Sequence, residues 1–85
     1  MKQSIKLSQG EKNIVIALRG CTVLCVSKTE TKANLAFSDT YSFYKNINHW
    51  EFDTLNQKGL LKKIDSRVVS NIYELSELGK SIDIS

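Results

Sequence analysis

The sequence has few of the residues from which catalytic and metal sites are built. Among its 85 residues are one histidine, two cysteines and four glycines. His49 is distant in sequence from Cys21 and Cys25, and these three residues cannot supply the four ligands of a structural zinc site. The glycines stand alone at positions 10, 20, 59 and 79, which excludes a glycine-rich phosphate-binding loop. We therefore expect no metal, no cofactor and no enzymatic activity.

Long apolar segments are also missing. No run approaches the ~18 residues needed to span a bilayer, and residues 1–13 contain no apolar core of a signal peptide. We expect a cytoplasmic protein with no membrane partner. With 41% hydrophobic and 25% charged residues, the composition is that of one ordinary globular domain over residues 1–85. The net charge of +3 permits binding to nucleic acid without requiring it.

The stretch from residue 47 to residue 61 carries the clearest helix signals. Asn48 is a favourable N-cap, and Glu51 follows it by three residues, which is the spacing of a capping box. Gly59 takes the position after the helix where the backbone turns left-handed, a conformation that costs glycine little. Lys58 stands in the last turn, where the helix dipole favours a cation. We therefore predict a helix over residues 48–58.

The remaining elements follow from capping residues and from apolar runs. Ser8 and Glu11 have the spacing of a second capping box, and Gly20 ends that helix. Glu11, Ile14, Val15 and Leu18 fall on one face of this helix, with Leu7 just outside it. Apolar runs at 21–27 and 33–37, and again at 60–65 and 71–75, are separated by polar turns and predict two β-hairpins. With a short helix from Ser76, this order of elements defines an α+β fold.

Residues 38–46 contain three aromatic side chains, Tyr41, Phe43 and Tyr44. The simplest interpretation is that they fill the core where the first hairpin meets the central helix. The sharper alternative is an exposed platform on which bases stack. A reduced second helix at residues 39–44, capped by Ser38 or Asp39, stays open as an alternative. Cys21 and Cys25 are interpreted as buried thiols, because they are too far apart along a strand for comfortable disulfide geometry.

The order of motifs in the second half of the chain is distinctive. A helix ending in Lys58-Gly59-Leu60 is followed by a hairpin and then by Leu75-Ser76-Glu77-Leu78-Gly79-Lys80. Over residues 47–80 this pattern resembles the winged helix-turn-helix family, most closely its MarR-type members. The resemblance implies a winged-helix-like fold in which the helix at 48–58 is the recognition helix and the hairpin at 60–75 is the wing. The chain departs from the family at residues 21–37, where a hairpin replaces the helix that normally braces the recognition helix.

The resemblance also implies double-stranded DNA as the partner. The recognition helix would enter the major groove, the wing would contact phosphates or the minor groove, and the protein would act as a transcriptional regulator, expected as a homodimer. His49, Asn56 and Gln57 can hydrogen-bond to base edges. The predicted DNA-binding residues are His49, Trp50, Asn56, Gln57, Lys58, Lys45, Lys62, Lys63 and Arg67. The alternative for the wing lysines is that they only keep an edge strand from pairing with other chains.

A second class of function is a protein–protein interaction module on the same scaffold. The outward face of the helix is predicted to hold Trp50, Asp53, Thr54 and Gln57. Asp53 and Glu51 place negative charge there, where DNA phosphates would repel it, and exposed tryptophans are enriched at protein–protein hot spots. The predicted protein-binding residues are Trp50, Asp53 and Gln57. A small single domain of this kind resembles accessory proteins of phages and mobile elements, so this class includes inhibitors of a host defence complex.

Overall fold

The computed structural model describes residues 6–82, which form three helices and one five-stranded antiparallel sheet. The predicted domain spans residues 1–85, and its residues 1–5 and 83–85 lie outside the described part of the chain. The elements are α1 (Gln9–Leu18), β1 (Thr22–Ser27), β2 (Ala33–Phe37), β3 (Phe43–Ile47), α2 (His49–Gln57), β4 (Leu61–Ser66), β5 (Ser70–Leu75) and α3 (Glu77–Ser81). The α+β fold class is confirmed. Among these residues, no helix combines the length and the apolar character needed to cross a membrane.

Helix α1 begins where its capping residues predict. The Ser8 side chain accepts a hydrogen bond from the Glu11 amide at 3.2 Å, and the Ser8 amide donates to Glu11 Oε1 at 2.9 Å. These reciprocal bonds satisfy two amides that the first turn cannot pair internally. The four residues that share one face, Glu11, Ile14, Val15 and Leu18, are all buried.

Helix α2 is confirmed at both ends. The Asn48 amide donates to Glu51 Oε1 at 3.3 Å, which supplies the acidic half of the predicted capping box. At the other end, Gly59 has φ +77° and donates its amide to the Asn56 carbonyl at 3.1 Å. The Leu60 amide donates to the Leu55 carbonyl at 3.1 Å. These two bonds form a Schellman motif, which requires a left-handed residue at position 59.

The sheet joins the two hairpins through its middle strands. The strand order is β3-β2-β1-β5-β4, so β1 pairs with its neighbour β2 and also with the distant β5. Both outer strands contain an irregularity, in the β2–β3 pairing at residues 35–36 and in the β4–β5 pairing at residues 63–65. Such irregularities bend edge strands and disturb the regular row of free backbone groups that another chain would pair with.

The reduced second helix, the alternative for residues 39–44, is not present in the structure. Residues 38–40 form a turn, in which the Tyr41 amide donates to the Phe37 carbonyl at 2.7 Å, and residues 43–47 form β3. Tyr41 adopts a positive φ of 55°, which interrupts any right-handed helix. The third strand widens the sheet on the side where the resemblance implied a helix.

The core lies on both faces of the sheet. The larger cluster is on the face covered by the helices, and its most completely buried members are Leu24, Leu55, Leu60, Leu75 and Val15. A smaller cluster on the opposite face consists of Val23, Cys25, Ala36 and Ile72, with Tyr41 packed against it.

The core interpretation of the aromatic and cysteine side chains is only partly right. Tyr41 packs on the core, but Phe43 is 60% exposed and Tyr44 is 44% exposed. Tyr44 stacks against Phe37 instead, with ring centroids 4.7 Å apart.

Cys25 is buried as predicted, whereas Cys21 precedes β1 and is exposed. Burial raises the pKa of the Cys25 thiol, although the nearby charge of Arg67 opposes this. Cys25 is therefore a core residue, and Cys21 is a surface thiol.

Candidate nucleic-acid interface

The outward face of α2 presents a continuous polar strip. It consists of His49, Trp50, Asp53, Asn56 and Gln57. These residues recur at the spacing that places side chains on one side of a helix. Trp50 is 54% exposed, which confirms that it points outward. His49 Nδ1 lies 3.1 Å from Asp53 Oδ2, so the strip contains one ion pair when His49 is protonated. Trp50, Asp53 and Gln57 are on the outward face, as the sequence predicts.

Thr54 and Lys58 do not belong to this strip, because both side chains face α1. The Thr54 hydroxyl donates to Glu11 Oε2 at 2.7 Å, and Lys58 Nζ lies 2.9–3.0 Å from the two Glu11 carboxylate oxygens. Lys58 also donates to the Lys6 carbonyl at 3.1 Å. The placement of Thr54 on the outward face is therefore wrong, and the predicted DNA contact Lys58 has its ammonium group occupied by an acid.

The Glu11 carboxylate is the electrostatic centre of the α1–α2 contact. Burial alone would raise the pKa of Glu11. Hydrogen bonds from the Ser8 amide, from Thr54 and from Lys58, together with the charge of Lys58, outweigh burial and lower this pKa from 4.5 to about 2. Glu11 therefore remains ionised at neutral pH, and it fixes the orientation of α2 relative to α1.

Lys45 lies far from the other predicted DNA-binding cations. It is on β3, which is the outer strand opposite β4 in the sheet. With a strand spacing of about 4.8 Å, roughly 19 Å separates the two edges. Lys45 lines a cavity of about 200 Å³ between β3 and the starts of α1 and α2, together with Asn13, Asn48 and Glu51. It does not extend the cationic surface of the β4–β5 hairpin.

The cations of the β4–β5 hairpin point to both sides of the sheet. Lys63 is the Cα partner of Tyr73, whose ring packs on Phe52 of α2 at a centroid distance of 5.0 Å, so Lys63 is on the helix side. Lys62 pairs with Glu74 on the opposite side. Arg67 also extends over that opposite side. Its guanidinium carbon lies 4.4 Å from the centre of the Tyr41 ring, and its Nε is 3.5 Å from an Asp65 carboxylate oxygen.

The turn of the first hairpin lies beside the tip of the second. The Lys28 amide donates to the Val69 carbonyl at 2.9 Å, and Lys28 Nζ donates to Ser66 Oγ at 2.9 Å. We call residues 28–32 and 61–70 together the cationic hairpin surface. It contains five cations and two acids, a net charge of +3 that equals the formal net charge of the whole chain. The cations are spread along this surface, with Lys28, Lys32 and Arg67 near the hairpin tips and Lys62 and Lys63 towards the base of β4.

Lys28 and Lys32 were not among the residues predicted from the sequence. The segment Lys28 to Lys32 was recognised only as a polar turn, because its neighbourhood depends on the pairing of β1 with β5. The partners in that pairing are more than 40 residues apart, and no local pattern marks them. Lys32 is also bound to Glu30, with Nζ 2.9 Å from the carboxylate in a well-exposed pair. Exposed pairs of this kind are weak, so Lys32 can exchange Glu30 for another anion.

Comparisons with protein-family models, with curated protein sequences and with solved structures each found no significant match. In the described part of the chain, no group of three or more histidine, cysteine, aspartate or glutamate side chains is arranged to hold a metal ion. The candidate interface consists of the α2 strip and the cationic hairpin surface.

Proposed function

We propose that the protein is a small cytoplasmic regulator that binds double-stranded DNA through the cationic hairpin surface and the α2 strip. The observation that carries this proposal is the net charge of +3 on the cationic hairpin surface, whose two hairpins are joined by the hydrogen bond from Lys28 to Ser66. A localised positive surface attracts the DNA backbone and releases its counterions. Occupying a DNA site is sufficient for a small protein to regulate transcription.

The arrangement of elements supports a winged-helix mode of binding. Helix α2 directly precedes the β4–β5 hairpin, and the sheet places β5 between β4 and β1. The succession of a recognition helix and a wing is the one that the resemblance implies. In this proposal Lys28, Lys32 and Lys63 contact phosphates, while Asn56 and Gln57 reach base edges. Asp53 is held by His49, which reduces its repulsion of phosphates.

A titration with random-sequence duplex DNA at several salt concentrations tests the proposal. With three to five phosphates neutralised, log K should fall with log salt with a slope of roughly −3 to −5. Replacing Lys28, Lys32 and Lys63 with alanine should make this slope shallower by roughly 3, since each phosphate contact contributes about 0.9. Lys80→Ala is the matched control, because Lys80 is an exposed lysine on α3 beyond the other end of β5. Undetectable binding of the wild-type protein at 0.1 M salt would refute the proposal.

A protein partner is the second candidate, and the exposure of Trp50 is the observation that favours it. A tryptophan with 54% of its surface free, next to the exposed Asp53, fits an anchor with a polar neighbour on a protein interface. In this case Trp50→Ala should weaken the complex by about 2 kcal/mol or more, whereas lysine substitutions should mainly slow association. DNA binding that survives Trp50→Ala and is lost in the triple lysine variant favours DNA. The protein module is favoured instead if duplex DNA binds only weakly at physiological salt.

A further inference from the structure

The tip of the β4–β5 hairpin exposes two adjacent apolar side chains. Val68 is 93% exposed and Val69 is 62% exposed, and Val68 is the most exposed large hydrophobic residue in the described part of the chain. Their neighbours in sequence, Arg67 and Ser70, are polar. Exposed apolar side chains lower the solubility of a protein. The positive charge of this surface does not explain why two valines stand at its tip.

The tip is held in place rather than free. The Arg67 amide donates to the Ser70 carbonyl at 2.7 Å, which closes the turn around the two valines. The hydrogen bond from the Lys28 amide to the Val69 carbonyl supports the tip from the first hairpin. The Arg67 side chain is drawn back over Tyr41 and towards Asp65. Val68 and Val69 are therefore the leading side chains of the hairpin, with Lys28 and Lys32 on the adjoining turn.

We propose that Val68 and Val69 form an apolar wedge that enters the minor groove of duplex DNA and bends it. This inference rests on the proposed function. Proteins that bind the minor groove insert apolar side chains between base pairs, and the partial unstacking kinks the duplex by about 20–90°. Lys28 and Lys32 on the adjoining turn are placed to contact phosphates beside the tip. They hold the duplex against the tip, and the valines then act on DNA that is already bound.

Charge complementarity favours DNA over the other possible occupants of this tip. Two valines offer too little apolar surface to hold a protein partner or a bilayer by themselves, because interface hot spots rely on large side chains and stable membrane anchoring needs two signals. A wedge has no such requirement, since phosphate contacts supply the affinity and the wedge supplies only the deformation.

Energy transfer between dyes at the two ends of a short duplex, about 20–30 bp long, tests the wedge. Wild-type protein at saturation should raise the transfer efficiency above that of free DNA. The variant Val68→Ser with Val69→Ser should bind the same duplex within about threefold of the wild-type Kd but leave its transfer efficiency near that of free DNA. Val68→Leu with Val69→Leu should retain the bend. Ile16→Ser is the control, because Ile16 is exposed on α1, far from the tip.

The outcomes separate the wedge from the proposed function. A wild-type protein that binds the duplex without changing the energy transfer overturns the wedge alone, as does a serine variant that bends DNA as well as the wild type. No binding to duplex DNA at 0.1 M salt overturns both. Binding to vesicles of an anionic phospholipid, lost in the serine variant and accompanied by no DNA bending, assigns the tip to a membrane surface instead. Equal melting temperatures of the variants and the wild type exclude misfolding, as expected for side chains this exposed.

Discussion

The buried Glu11 carboxylate gives a sharp test of how the two main helices are held together. Its side chain is 4% exposed and lies 2.9 Å from Lys58 Nζ, and it also accepts hydrogen bonds from Ser8 and Thr54. We predict that Glu11→Gln destabilises the domain at neutral pH. Glutamine preserves the size of the side chain and one oxygen for the capping box, but it removes the charge and the second oxygen, which accepts from Thr54 and Lys58.

Two independent arguments give a similar magnitude. The pKa of Glu11 falls from 4.5 to about 2 on folding, which corresponds to about 3 kcal/mol at 1.36 kcal/mol per pH unit. Removing one partner of a buried ion pair costs about 3–5 kcal/mol, and the partial exposure of Lys58 favours the lower value. A domain of this size is stable by about 4–13 kcal/mol. Glu11 therefore contributes a large fraction of the free energy of unfolding.

Urea unfolding at a series of pH values measures this contribution. At pH 7 the midpoint of Glu11→Gln should lie about 1–3 M urea below that of the wild type. Because the folded-state pKa of Glu11 is below its ordinary value, the contribution is fully present above about pH 4.5 and is lost as the pH falls through about 2. The two proteins should therefore converge in stability at low pH. Glu77→Gln is the control, since Glu77 is an exposed acid in the first turn of α3. Equal stability of Glu11→Gln and wild type at pH 7 would refute the reasoning.

Three further predictions concern glycines and cysteines. Gly59→Val should lower the free energy of unfolding by more than about 1 kcal/mol, because the φ of +77° disfavours a β-branched residue; an unchanged melting temperature would contradict the Schellman end of α2. Gly10→Ala should lower the free energy of unfolding in the same assay despite the better helix propensity of alanine, since its Cβ would overlap the Glu51 carboxylate, which is buried and held by the Asn48 amide. A thiol reagent should label Cys21 in the native protein and Cys25 only after unfolding, and equal labelling rates would show that Cys25 is not buried.

The parts of the fold that were predicted correctly depend on local rules. The capping box at Ser8 and the left-handed Gly59 each involve residues within a few positions of one another, and both helices begin and end where these residues require. The hairpins follow from apolar runs around polar turns. The outward position of Trp50 follows from helical periodicity in the same way. Such features are encoded in short windows of sequence.

The parts that could not be predicted depend on contacts between distant segments. Lys58 has the sequence position of an exposed cation at a helix end, but α1 brings Glu11 within 2.9 Å of it. Lys28 joins the β4–β5 hairpin only because β1 pairs with β5. The formation of a strand at residues 43–47, in place of a helix at 39–44, also depends on a pairing that no local pattern marks. A polar segment with aromatic residues is compatible with either a helix or an edge strand. This segment forms a strand because it pairs with the free edge of β2.

The pairing of β1 with β5 also determines when the sheet can close during synthesis. Leu24 and Tyr73 are Cα partners, yet 49 positions separate them. At about 5–20 residues per second, a ribosome needs roughly 2–8 s to extend the chain from the end of β2 to the end of β5. Until then, β1 has an open edge whose residues Val23 to Val26 are all buried in the final structure. An apolar edge strand of this kind pairs readily with other chains. We therefore expect the nascent chain to depend most on chaperones during this interval.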